Sequence, residues 1–189
     1  MKTNLTRCGL TAAATGALAL GLVAGPAAFA GGAGASARTA TIDMNFERGK
    51  FSFSGARQVA AGQALRIRNN TAPQQGGPHT FTLMKSGLVP KTDKKRKACG
   101  RLQGICGKVA KAHQINPETF KVGRPLVRAG KPGWNKVFTT RGNGDTWYSE
   151  TDGETFSQRV SRSAAGKTLS YVCVVHPEMQ GKIKVVAAK

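Results

Sequence analysis

The run Tyr171-Val-Cys-Val-Val-His-Pro-Glu-Met-Gln-Gly-Lys-Ile-Lys-Val-Val186 places a thiol, an imidazole and a thioether within seven residues, Cys173 to Met179. A β-type run precedes them, from Thr168 to Val174, and another follows, from Gly181 to Val186. The three side chains therefore share one loop between two strands. Cys and Met are scarce elsewhere, with four of each in 189 residues, so their crowding here asks for a chemical reason.

Upstream, short alternating runs are separated by turn signals. Thr41 to Phe46 puts Ile42, Met44 and Phe46 on one face, and Phe51 to Ser54 alternates too. In Ala64 to Arg68, Leu65 and Ile67 point one way and Arg66 and Arg68 the other. Asn69 to Pro78 is a turn-rich loop, and His79-Thr-Phe-Thr-Leu83 resumes alternation. The pattern lapses after Met84 and returns at about 155–160. Strands at short spacing with no long amphipathic helix predict an all-β antiparallel sandwich.

The gap, about 85–154, is too long for a structureless loop in a compact domain and is expected to carry structure of its own. Lys91 to Gln114 is rich in Lys, Arg and Ala and could be helical, with Gly100, Gly104 and Gly107 as interruptions. Asn116-Pro-Glu118 reads as a cap opening a short helix. Arg141 to Asp145 is a turn. Trp134, Trp147 and Tyr148 are expected to pack this insert onto the sandwich.

The N-terminus reads as a processing signal. Lys2 and Arg7 precede an apolar stretch from Leu10 to Val23, and Ala28-Phe29-Ala30 has the small-x-small cleavage pattern. A signal peptide over 1–30, a flexible leader over 31–39 and one domain over 40–187 follow, with a secreted or periplasmic protein as the product. Net charge is +20, and loss of Lys2 and Arg7 would leave +18. So basic a surface attracts anionic cell-surface polymers or an acidic partner protein, and export argues against nucleic acid. Nine Lys or Arg fall in 85–111 against Asp93 alone, so Lys94, Lys95, Arg96 and Lys97 are candidate docking residues on an expected monomer. Asp145, Glu150, Asp152 and Glu154 cluster in 145–154 without calcium-loop spacing.

Cleavage also removes Cys8, leaving Cys99, Cys106 and Cys173, an odd number in an oxidising compartment. Export favours a Cys99–Cys106 disulfide. That bridge cannot form along an unbroken helix, where residues seven apart lie about 10 Å apart. Cys99, Cys106 and His113 at seven-residue intervals leave open free thiols or a second metal site instead.

Cys173 is then the thiol to be explained. Soft sulfur with imidazole suits copper, and one Cys and two His in plane with a weak axial Met describe a type 1 copper site. The second His is His79 or His113. His79 opens a strand after a Gly-Gly-Pro turn, whereas His113 lies in the charged insert and is expected to be exposed or a minor cap. Structural zinc prefers several Cys or His over Met. A c-type haem needs Cys-x-x-Cys-His, which is absent. A dinuclear copper centre needs a second Cys where Val174 and Val175 stand.

Gly-Pro-His79-Thr-Phe, followed downstream by Tyr171-Val-Cys173-Val-Val-His176-Pro-Glu-Met179-Gln-Gly181, resembles the cupredoxins, the plastocyanin- and azurin-like blue copper proteins. The short ligand loop is most similar to that of amicyanin. The resemblance spans about residues 40–84 and 155–187, and it implies a Greek-key sandwich that carries single electrons. It implies His79, Cys173 and His176 as in-plane ligands of one type 1 copper, Met179 as the axial one, and His176 as the electron port. Hydrogen bonds to the thiolate are expected from backbone near Asn70 or Thr80. Two other functions use the same features: copper delivery or sequestration, and a metal-free cationic cell-surface module. No phosphate loop or nucleophile motif is present, and no enzymatic activity is expected. Asn69-Asn-Thr71 is a formal glycosylation sequon.

Overall fold

Alternation becomes strand at every run that shows it. The computed structural model describes residues 39–188; the expected signal peptide over 1–30 and the expected leader up to residue 38 lie outside the described residues. In chain order, β1 (Ala40–Glu47), β2 (Lys50–Gly55), β3 (Gln58–Ala60) and β4 (Ala64–Asn69) precede a helical turn, α1 (Pro73–Gly76), and β5 (His79–Met84). Then come helices α2 (Asp93–Gly100) and α3 (Gly104–His113), and β6 (Val127–Arg128), β7 (Thr146–Ser149), β8 (Thr155–Arg159), β9 (Thr168–Val172) and β10 (Gln180–Val186). One sheet has the order β2-β1-β4-β8 and the other β3-β10-β9-β5-β7-β6. The result is the expected Greek-key sandwich, antiparallel except where β1 runs parallel to β4 and β10 to β3.

The faces follow the sequence. Ile42, Met44, Leu65 and Ile67 are fully buried between the sheets with Phe81, Leu83, Trp134, Leu169, Tyr171 and Ile183. β5 departs from simple alternation because all six of its residues are buried. Phe81 and Leu83 face the sandwich interior, while Met84 joins a second core with Val109, Ala110, Phe138, Tyr148, Val172 and Val174. That second core is built with the two helices, which cover the outer face of the six-stranded sheet as a third layer.

The helical insert forms as two helices rather than one. Thr92 caps α2 by accepting the Lys95 N–H, and Asp93 lies in the first turn, where a negative charge favours the helix dipole. Leu102 at φ +52° breaks the rod, and α3 starts at Gly104, φ +60°. The break brings Cys99 and Cys106 to a Cα separation of 5.1 Å, and the two are joined in a disulfide. That pairing removes two of the three donors of a second metal site.

Two expectations for the insert are corrected. Asn116 does cap a turn, its Oδ1 accepting the N–H groups of Glu118 and Thr119, but no helix follows because Phe120 takes φ +54°. The segment also contributes β6 and β7, whose short runs show no alternation, and β7 pairs with β5. Trp134 and Trp147 pack into the sandwich core and Tyr148 into the helical one, so the aromatics do fasten the insert at both layers.

Candidate metal centre

Three neighbouring ends of the six-stranded sheet supply the site. His79 is the first residue of β5, Cys173 follows the last residue of β9, and the loop from there to β10 carries His176 and Met179. Pairing of Val172 with Gln180 closes that loop. Inside it, the Cys173 N–H donates to the Met179 carbonyl at 3.1 Å and the Met179 N–H to the His176 carbonyl at 2.9 Å. The loop is thus a hydrogen-bonded turn whose side chains converge. The Met179 side chain is fully buried in the same core as Cys173.

The donor atoms form a tight triangle. Cys173 Sγ lies 3.9 Å from His79 Nδ1 and 3.9 Å from His176 Nδ1, and the two Nδ1 atoms are 3.2 Å apart. A point equidistant from the three is about 2.1 Å from each, against first-row metal bonds of about 2.0–2.1 Å to imidazole and about 2.3 Å to thiolate. Two imidazole nitrogens facing each other beside a sulfur make a poor set of protein–protein hydrogen bonds and a good cation cradle. His79, Cys173 and His176 alone among the described residues form such a cluster of His, Cys or acidic donors.

Burial sets the protonation of these groups. Desolvation, with His176 nearby, holds His79 down at about 3, and desolvation also lowers His176, opposed by Glu178. Both rings are therefore neutral near pH 7 and present lone pairs. Burial pushes the Cys173 thiol up, while N–H groups of Thr80 and His176, each 3.3 Å from Sγ, favour the thiolate. A bound cation reverses the desolvation penalty and deprotonates a coordinating thiol outright. The residues fit a soft metal ion.

The fold is cupredoxin-like. A two-sheet Greek-key sandwich that gathers a strand-end His and a Cys-x2-His-x2-Met loop at one end carries that description. The chain is similar in shape to the purple cupredoxin from Nitrosopumilus maritimus, with 12% identity over 77% of this chain and 98% of that one, at a TM-score of 0.38. Auracyanin A from Chloroflexus aurantiacus gives 17% identity over 78% and 98%, also at 0.38. Rusticyanin from Thiobacillus ferrooxidans gives 13% over 79% and 76%, at 0.35. No family model and no curated protein matches the chain. Likeness this distant carries no argument, and both fold and chemistry rest on the residues themselves.

Of the two candidate histidines, His79 lies at the cluster and His113 does not. His113 is neither exposed nor a minor cap: it is fully buried between α3 and the sheet. Thr80 supplies the expected bond to the sulfur; Asn70 does not, its N–H going to the Met44 carbonyl. The sequon cannot be modified in the folded protein, because Asn69 is fully buried and holds Thr71, Ser149 and Thr151 by hydrogen bonds. Asp145 is structural too, accepting the N–H groups of Asn135 and Lys136.

Sequence reasoning missed Phe51. Its ring stacks on His176 at 4.0 Å and 28°, and Phe46 lies 4.6 Å away on the paired strand. His176 is consequently half-buried, one face under an aromatic lid. The alternation of Phe51 and Phe53 marks a strand face, but nothing along the chain ties β2 to a loop more than a hundred residues later.

Proposed function

We propose that this chain is an exported type 1 copper protein that carries single electrons. The triangle of His79 Nδ1, His176 Nδ1 and Cys173 Sγ supports this reading most directly, and the buried Met179 thioether would complete the set of residues that hold the ion. Copper supplies one-electron redox chemistry between its two common oxidation states. The chain supplies a site that changes little between them. Cys173 and His79 are fixed at the ends of paired strands, and His176 is wedged against Phe51. Ligands locked by packing need little reorganisation per electron. Complete burial of His79, Cys173 and Met179 favours retention over the exchange a delivery protein requires. His176, half-buried, is the route out.

The basic helix sits where it can steer a partner. A side chain at Gly100, the last residue of α2, would meet the Pro177 ring at 3.9 Å, so the helix ends against the ligand loop. Lys94, Lys95 and Lys97 are exposed along it, whereas Arg96 is engaged by Asp93 and the Lys91 carbonyl. Electron exchange with an acidic redox protein should therefore slow with rising salt. Changing Lys94, Lys95 and Lys97 to Gln should flatten that salt dependence in stopped-flow measurements. A rate insensitive to both salt and these charges would remove the helix from the docking surface.

The reading is tested by titrating residues 31–189 with Cu(II), followed by visible absorption and electron paramagnetic resonance. An intense thiolate-to-copper band with narrow hyperfine splitting at one copper per chain is expected. A colourless or weakly bound product would overturn it.

A further inference from the structure

Beside the helical layer, the outer face of the six-stranded sheet carries a cavity that the metal centre does not use. Strand register fixes one wall. Met84, Ser170 and Lys182 stand in one row across β5, β9 and β10, and Thr82, Val172 and Gln180 stand in the next. Met84 and Val172 belong to the core under the helices, so both rows face outward. Ser170 is only 4% exposed, yet its hydroxyl makes no hydrogen bond to any described residue. Side chains directly opposite on an antiparallel pair have Cβ atoms about 4.5–5.5 Å apart, so the Lys182 stem rises beside that hydroxyl.

The facing wall is the segment between β5 and α2, and hydrogen bonds hold it in place. Gln180 Nε2 donates to the Pro90 carbonyl at 2.8 Å and to the Pro177 carbonyl at 2.6 Å. Arg96 donates to the Lys91 carbonyl at 2.7 Å. The peptides on both sides of Lys91 are thus anchored, one to the sheet and one to the helix. Ser86, the buried Val89 and Lys91 then face Ser170, Gln180 and Lys182 across about 220 Å³. Lys91 and Lys182 are the charged residues of the lining, and no acidic side chain joins them. The ion pairs of the described residues are Arg68–Asp43 and Arg96–Asp93, so no carboxylate neutralises either ammonium.

We propose that this cavity is a phosphate-binding site, in which Lys91 and Lys182 hold the charge from opposite walls and the Ser170 hydroxyl donates to a phosphate oxygen. An ammonium has three donors and no acceptor, and the hydroxyl adds a fourth kind of approach from the floor. Such a set is matched by a small group with several acceptor oxygens and more than one negative charge, which lysine serves as a point charge. The volume lies below the ~300–1,000 Å³ of clefts that enclose drug-sized ligands, so the group is inorganic phosphate or the phosphate of a larger molecule whose remainder stays in solvent. A strongly basic chain attracts anions everywhere on its surface; here geometry selects one. None of the four donors at the metal centre lines the cavity, and the site is independent of the copper reading.

Titration of the full chain with inorganic phosphate at constant ionic strength, read from amide resonances, tests this. Saturable shifts centred on Lys91, Ser170 and Lys182, with one dissociation constant, are expected. Lys91→Gln and Lys182→Gln should each weaken binding about 10-fold, and Ser170→Ala about threefold, since bonds between two charged groups are the stronger ones. All three residues lie outside the packed cores, so the variants should fold. Lys131→Gln removes the same charge from the turn after β6, at the opposite edge of the sheet, and should leave the constant unchanged. Repeating the titration with glycerol phosphate separates the two sources. Equally tight binding assigns the site to the phosphate of a larger molecule, and binding of inorganic phosphate alone assigns it to the free ion. Binding of neither, shifts spread over the basic surface without saturation, or equal weakening by Lys131→Gln overturns the proposal.

Discussion

Cys173→Ser should abolish the blue band and weaken copper binding by at least ~100-fold, the upper end of what loss of a mere outer-shell partner costs. The fold should survive. A serine oxygen in the same place can accept the N–H groups of Thr80 and His176 that now reach Sγ. It also leaves the Cys99–Cys106 disulfide untouched, since Cys173 is the free cysteine of the described residues. Metal-free Cys173→Ser should therefore melt close to the unmutated metal-free protein while the copper-induced rise in Tm disappears. A variant that remains blue would remove Cys173 from the ligand set and with it the proposed function.

Trp134→Ala should give the largest loss of stability, about 3–5 kcal/mol for a fully buried aromatic, against a total on the order of 5–15 kcal/mol for a domain. Trp134 meets Phe81 at 5.2 Å and Phe156 at 5.8 Å, both edge-on, so it touches the two sheets at once. Its backbone N–H donates to the Arg159 carbonyl and its backbone carbonyl accepts the Ser161 N–H, which ties the insert to the β8 edge. Denaturant unfolding should show the shift in midpoint. Trp134→Phe should recover part of it, because the Nε1 atom is buried with no partner and its removal costs no hydrogen bond. A loss below about 1 kcal/mol for Trp134→Ala would mean that the insert contributes little to holding the sandwich.

The ligand loop was legible because its information is local. A Cys, a His and a Met in seven residues between two alternating runs can converge only in a turn, and strand alternation decides which side each donor takes. His79 was legible for a related reason, since it opens a strand at a Gly-Gly-Pro turn. The Cys99–Cys106 pairing was legible as a compartment argument, and the break its geometry needs falls at Leu102 and Gly104, the latter among the marked glycines. The helix foreseen at Asn116 failed because a cap supplies hydrogen bonds for one turn and cannot carry a chain past a residue at positive φ.

Other features lay outside any local pattern. Thr80 and Thr82 alternate with Phe81 and Leu83, as solvent-facing residues of a strand do, and only the helical layer makes that face an interior. His113, in a segment crowded with Lys and Arg, looked like a surface residue; α3 turns it inward against β7 and gives both its nitrogens a partner. Phe51 reached His176 only when the four-stranded sheet folded over the other. The sequence by itself determined the alternating strands β1, β2, β4, β5, β8, β9 and β10, the sandwich class and the four candidate donors, because hydrophobic period and donor spacing are properties of neighbours along a chain. Tertiary structure alone decided which histidine is buried away from the donor cluster, which ring stacks on His176, and how the helical insert packs on the six-stranded sheet. Those depend on contacts between residues far apart in sequence, whose geometry follows from packing one layer on another and leaves no mark in the order of residues.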